Sequence, residues 1–126
     1  MNLVDASGWI EYFNDGPYAS YFLEAIRDMS DVIVPTLSFY EVFSFVMKDM
    51  SDSEALQVVA FMQQARSVDL TDAVAVLAAR LSAKHDIPFS PGITLATAQL
   101  HQAVIWTQDA HLKDMPGVKY YPKKVT

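Results

Sequence analysis

Apolar residues along the chain fall into two alternating rhythms. Met1–Val4 is a short apolar run that ends at Asp5 and predicts a first strand. Trp9, Ile10 and Phe13 mark a helical turn behind it, with Ser7 placed to cap that helix. Asn14-Asp15-Gly16-Pro17 is a turn signal. Tyr18, Tyr21, Phe22, Ala25, Ile26 and Met29 then recur at helical spacing, a stripe that suits core or dimer packing. Val32-Ile33-Val34 is a continuous β-branched run between Asp31 and Pro35, the pattern of a strand buried on both faces.

The second half repeats the alternation. Phe39, Val42, Phe43, Val46, Met47 and Met50 trace a helical stripe. Ser51 and Glu54 have capping-box spacing ahead of Leu56, Val59, Ala60 and Met62. Ser67–Leu70 predicts a short strand, and Thr71 caps a helix carrying Val74, Leu77, Ala78 and Leu81, with Asp72 read as part of that cap. Asp86–Phe89 reads as a loop. Ser90 and Pro91 read as N-cap and first residue of a helix over Gly92–Gln102. Ala103–Thr107 predicts a strand, Pro116-Gly117 a turn and Val118–Tyr121 a last strand. Strands alternating with helices predict an α/β fold, a parallel sheet covered by helices on both faces, as a single domain over residues 1–126.

Composition narrows the class. The chain is 52% hydrophobic, against a usual share of roughly 45–50% even with glycine counted, which excludes disorder and fits either a well-filled core or a buried contact with another chain. Cysteine is absent, so disulfides and thiolate metal sites are excluded, and a reducing cytoplasm is the expected setting. No stretch approaches the roughly 20 apolar residues of a membrane span, and Asp5 interrupts what a signal peptide would need, so no membrane association or secretion is expected. The net charge of −6 argues against passive binding of nucleic acid through its phosphates. Lys113, Lys119, Lys123 and Lys124 gather near the C-terminus as a solvated tail or a weak phosphate-steering patch.

Three acids stand out against this background. Asp5 ends the first strand and Asp109 follows the strand Ala103–Thr107, the strand ends at which open parallel sheets gather their sites. Glu41 lies in the otherwise apolar segment Leu37–Phe45, where a carboxylate is expensive to bury alone. Taken singly, each can be a turn former, a helix cap or a half-exposed helix residue. Acids that converge without a cationic side chain call for a metal ion, and an oxygen-only donor set favours Mg²⁺ or Mn²⁺ over zinc. His85, His101 and His111 share no ligand spacing and read as surface residues.

The chain resembles the PIN-domain family, in particular the VapC-type toxins of toxin–antitoxin pairs. Leu3-Val4-Asp5-Ala6-Ser7 is similar to the opening motif, Val34–Val42 to the second with its acid at Glu41, and Trp106–Leu112 to the closing one with Asp109. The resemblance implies a three-layer α/β/α fold and a Mg²⁺- or Mn²⁺-dependent endoribonuclease. Asp5, Glu41 and Asp109 would be the catalytic and metal-binding acids, supported by Ser7 and Thr107. It also implies RNA as substrate, a cognate antitoxin and a homodimer. Phe39, Phe43, Met47 and Met50 are expected to form a groove for the antitoxin. One departure matters: the third motif carries an Asp where Ser90-Pro91-Gly92-Ile93-Thr94 has Pro91. Asp86 and Asp114 are the conceivable substitutes. The alternative expectation is therefore a catalytically impaired PIN-like module that retains partner or RNA binding alone.

Overall fold

The computed structural model describes residues 1–123. Five strands, β1 (Asn2–Val4), β2 (Val32–Pro35), β3 (Arg66–Val68), β4 (Val104–Thr107) and β5 (Val118–Tyr120), form one sheet in the order β3-β2-β1-β4-β5. Every pairing is parallel. The helices are α1 (Ala6–Phe13), α2 (Ala19–Ile26), α3 (Thr36–Val46), α4 (Asp52–Met62), α5 (Asp72–His85) and α6 (Phe89–His101), with short 3₁₀ turns at Met29–Asp31 and Ala110–Leu112.

The two-residue period of a strand sorts the core into two layers. Leu3, Ile33 and Ile105 point to one face and pack with Val74, Ala78, Leu81, Ile93 and Ala96 of α5 and α6. Val4, Val32, Val34 and Trp106 point to the other, against Trp9, Phe22, Val42, Val46 and Met62. This is the three-layer α/β/α arrangement expected of the alternating pattern. The chain leaves β1 towards β2 and β3, then returns to place β4 on the other side of β1. That reversal opens a crevice at the carboxyl ends of β1 and β4, where ligands of such sheets bind.

Several local expectations shift. The cap of α1 is Asp5, whose carboxylate accepts a hydrogen bond from the Gly8 amide at 3.1 Å, and not Ser7. Because β1 ends at Val4 and α1 begins at Ala6, the helix starts two residues too early for Ser7 to cap it. Helix α6 starts at Phe89 after Pro88, so Ser90 is not its cap and Pro91 is its third residue. Pro91 is still in the first turn, where the missing N–H removes no helical hydrogen bond. Asp72 is the first residue of α5; the capping group is Thr71, which accepts from the Val74 amide. The expected loop at Asp86–Phe89 is shorter, since Asp86 closes α5 with φ of 52°. Strand β3 stops at Val68, so Asp69 and Leu70 lie outside the sheet. The capping box at Ser51 and Glu54 forms as expected.

Close approach explains Gly8. A Cβ there would stand 2.6 Å from Val4 Cγ1 and 2.7 Å from Phe22 Cε1, both on fully buried side chains. Gly8→Ala would gain about 1 kcal/mol of helix propensity. Overpacking of about 1–3 kcal/mol or more should outweigh it. The expected result is a lower urea midpoint with an unchanged m-value.

Candidate active site

The crevice is a cavity of about 530 Å³ whose wall includes Asp5, Glu41 and Asp109. Each acid arrives on a different element: Asp5 between β1 and α1, Glu41 on α3 and Asp109 just past β4. The parallel register explains the convergence, because β1 and β4 run side by side with Val4 opposite Trp106.

Asp5 is buried and held on both oxygens. Oδ1 accepts from the Ser7 hydroxyl at 2.6 Å and the Gly8 amide at 3.1 Å. Oδ2 accepts from the Thr107 hydroxyl at 2.5 Å. Thr107 Oγ1 in turn accepts from the Asp109 amide at 2.8 Å, so one hydroxyl ties the two strand ends together. The Ser7 hydroxyl accepts from the Gln108 amide at 2.9 Å. Burial pushes the Asp5 carboxyl up to about 6; its three hydrogen bonds oppose that rise and the nearby Asp109 charge adds to it.

Glu41 is half-buried, and burial likewise raises its pKa. A hydrogen bond from Ser90 at 2.8 Å pulls it down and the Asp109 charge pushes it up again. Asp109 therefore acts electrostatically on both other acids. Its own Oδ1 accepts from the His111 amide at 2.9 Å and contacts His111 Nδ1 at 2.8 Å. Among the described residues no Lys or Arg pairs with any of the three acids.

Pro91 lies on the wall of the same cavity, buried, beside Ser90 and Thr94. Asp86 and Asp114 do not line it, so neither replaces the acid that Pro91 lacks. His111, read from sequence as a plain surface residue, is exposed yet touches Asp109. Ser90, expected only to cap, holds Glu41. Lys123, read from sequence as part of a solvated tail or weak phosphate-steering patch, also lines the cavity, as do Gln108 and Tyr120, which carried no signal beyond their nearness to Asp109 and to the last strand. Lys124 lies outside the described residues. The expected antitoxin groove is not one exposed face: Phe39, Phe43 and Met50 pack against the core, and Met47 is exposed among them. Helical spacing on α3 sends Phe39, Val42, Phe43 and Val46 inward and leaves Tyr40 and Phe45 outside, with Met47 exposed just past its end.

Among the described residues no group of three His, Cys, Asp or Glu side chains is gathered tightly enough to ligate one ion. The donor chemistry nevertheless fits a hard cation. The carboxylates share a cavity, repel one another through Asp109 and lack a Lys or Arg partner. Mg²⁺ is commonly held through one or two carboxylates, with waters and substrate phosphates completing its shell.

The PIN domain family profile matches residues 3–118. The chain belongs to the PIN-domain family. Solved structures show the same fold in other PIN-like chains. A toxin–antitoxin complex from Klebsiella pneumoniae superposes with a TM-score of 0.83 at 20% identity, covering 98% of this chain and 100% of its own. VapC20 of Mycobacterium tuberculosis, a sarcin-ricin loop cleaving toxin, gives 0.75 at 14% identity, covering 92% and 95%. VapBC2 from Rickettsia felis, bound to a DNA fragment from its promoter, gives 0.73 at 13%, covering 96% and 97%. No curated protein matches the sequence. The acidic cavity of this PIN domain thus sits at the sheet's topological switch point, on a fold that these toxins share. Among the described residues no helix is long and apolar enough to cross a membrane.

Proposed function

We propose that this PIN domain is a divalent-metal-dependent endoribonuclease, the toxin of a type II toxin–antitoxin pair. The observation that carries the reading is the convergence of Asp5, Glu41 and Asp109 on one cavity without a Lys or Arg partner. Family membership and a fold shared with VapC20 support it. Asp5, Glu41 and Asp109 would hold Mg²⁺ or Mn²⁺. When bound, such an ion lowers the pKa of water and neutralises phosphoryl oxygens. Ser7 and Thr107 fix the Asp5 carboxylate, and the Ser90 hydroxyl fixes that of Glu41. Glu41, half-open to solvent with a raised pKa, is the acid best suited to take a proton from the attacking water. The remaining parts of the reading are a cytoplasmic setting, a homodimer and a cognate antitoxin. Structural neighbours that are toxin–antitoxin complexes support the last.

A second reading, a PIN-like module with impaired catalysis that retains partner or RNA binding alone, is favoured by Pro91 on the cavity wall and by the loose spacing of the acids. Incubation of a single-stranded RNA with Mn²⁺ or Mg²⁺ separates the two. Under the nuclease reading the wild type cuts, EDTA stops it, and Asp109→Asn lowers the rate by roughly 10²-fold or more, the scale of losing a transition-state electrostatic contact. No cleavage by the wild type with either metal would leave the binding module standing.

A further inference from the structure

The acidic cavity does not end at its own wall. A second cavity of about 390 Å³ adjoins it, and Ser7, Gln108 and Lys123 line both. Those three residues therefore form a ridge over which a ligand in the first cavity would pass into the second. Gln108 is 6% exposed, and its side-chain Nε2 finds no hydrogen-bond partner among the described residues. A buried donor of that kind is normally paired. Beyond the ridge lie Ile10, Pro17 and the ring of Phe45, which is 40% exposed. Lys48 Nζ stands 5.6 Å from the centre of that ring. The acid of this second cavity, Glu11, is already engaged, accepting from the Tyr18 amide at 2.9 Å.

Two cations thus accompany the exposed ring: Lys123 lines both cavities, Phe45 lines the second, and Lys48 stands over the Phe45 ring. In a chain of net charge −6 this grouping is distinctive. Single-stranded nucleic acid is bound by such an arrangement, with bases stacked on aromatic rings and phosphates met by flanking cations. We propose that the second cavity is the exit path for single-stranded RNA. The nucleotide next to the scissile phosphate crosses the ridge, its phosphate met by Lys123, and its base stacks on Phe45 with Lys48 at the following phosphate. The proposal deepens the ribonuclease reading and rests on it for the identity of the strand. It adds affinity-bearing contacts outside the acid cluster, and they are sequence-tolerant because every base has a stacking face.

The test is fluorescence anisotropy with a short fluorescein-labelled single-stranded RNA in EDTA, where cleavage is stopped, with probe integrity verified by gel and cleavage assayed separately in Mn²⁺. Wild type, Phe45→Ala, Phe45→Tyr and Lys123→Gln are compared over a salt series, alongside cleavage by the wild type. Phe45→Ala should weaken binding roughly 5- to 100-fold and Phe45→Tyr should restore it. Lys123→Gln should reduce the slope of log affinity against log salt by about 0.7, one phosphate contact on a single strand. Both side chains are solvent-exposed, and circular dichroism with an unchanged Tm verifies the fold. Wild-type binding matched by Phe45→Ala and Lys123→Gln would overturn the path, assign the cavity to another occupant such as a partner peptide, and leave the nuclease reading intact. Binding lost in the variants, with no cleavage by the wild type, would uphold the path and remove the nuclease reading. A wild type that neither binds nor cuts the RNA overturns both.

Discussion

Asp5→Asn is expected to stabilise the metal-free protein by up to about 3 kcal/mol at pH 8, the free-energy equivalent of a carboxyl raised from 3.8 to about 6. The direction follows from proton uptake. Burial makes the folded state hold the Asp5 proton more tightly than the unfolded chain does. Below the unfolded pKa both states are protonated and the charge imposes no penalty. Between about 4 and 6 the folded state binds the extra proton, so stability falls as pH rises. Above the folded pKa the full penalty of a buried carboxylate is present. Glu41, also raised, acts in the same direction. Asparagine removes the charge while keeping an oxygen for the Gly8 amide, and it is as good an N-cap as aspartate. Urea unfolding in EDTA from pH 5 to 8 should show the wild type losing stability across the range and the variant losing much less. Added Mn²⁺ should reverse the ranking, stabilising the wild type by about 4.1 kcal/mol at a thousandfold excess over Kd and the variant by much less. A variant no more stable than the wild type at pH 8 in EDTA would show that the three hydrogen bonds, and not burial, dominate at Asp5.

That competition explains what could and could not be read in advance. Element types were legible because period decides them. Val32-Ile33-Val34 can hardly be other than a two-sided strand, and the residues of β1 and β4 sort by alternation into the two core layers. That Asp5 and Asp109 would meet was legible because a parallel sheet exposes its strand ends on one edge, and both line the one cavity. The capping role weighed for each was legible too: Asp5 caps α1 and Asp109 caps the 3₁₀ turn that follows it. What was not legible depends on contacts between segments far apart in sequence. Ser90 is 49 positions from Glu41, and no local rule distinguishes a helix-capping serine from one that reaches another helix. Thr107 reaches Asp5 across 102 positions. The exact start of α6 was misread because Ser90-Pro91 is a better local start than Phe89, yet the helix begins at Phe89 with Pro88 in the capping position. The exposed side of α3 was misread for a related reason. Its apolar residues surround the helix, so periodicity alone could not choose between Phe43 facing the core and Phe45 facing the second cavity.

Pro91→Asp tests how much the missing acid matters, and its effect should be the largest among substitutions that add function. Position 91 is the third residue of α6, inside the first turn, where a carboxylate is favoured by the unpaired amides and the positive end of the helix dipole. Aspartate is therefore compatible with the backbone that proline now occupies. The cavity is the harder constraint. It already contains three acids, with the Asp109 charge raising the pKa of the other two, and a fourth adds repulsion with no Lys or Arg to offset it. The metal-free variant should accordingly be less stable than the wild type, by about 1–2 kcal/mol at pH 8 for one further like charge in a partly buried site. With Mn²⁺ the order should invert, because an added carboxylate brings the donors closer to a full ligand set. The Tm gain on adding the metal is thus the first readout, and it is independent of turnover. The second is cleavage of single-stranded RNA, which should rise at least about tenfold if the extra ligand contributes even 1.4 kcal/mol to the transition state. Equal cleavage by wild type and variant, with equal Mn²⁺ shifts, would mean that Asp5, Glu41 and Asp109 with water and phosphate oxygens already complete the site. A metal-induced Tm gain in the variant alone, joined by activity absent from the wild type, would mean that proline at this position converted a nuclease fold into a binding module while leaving its other acids in place.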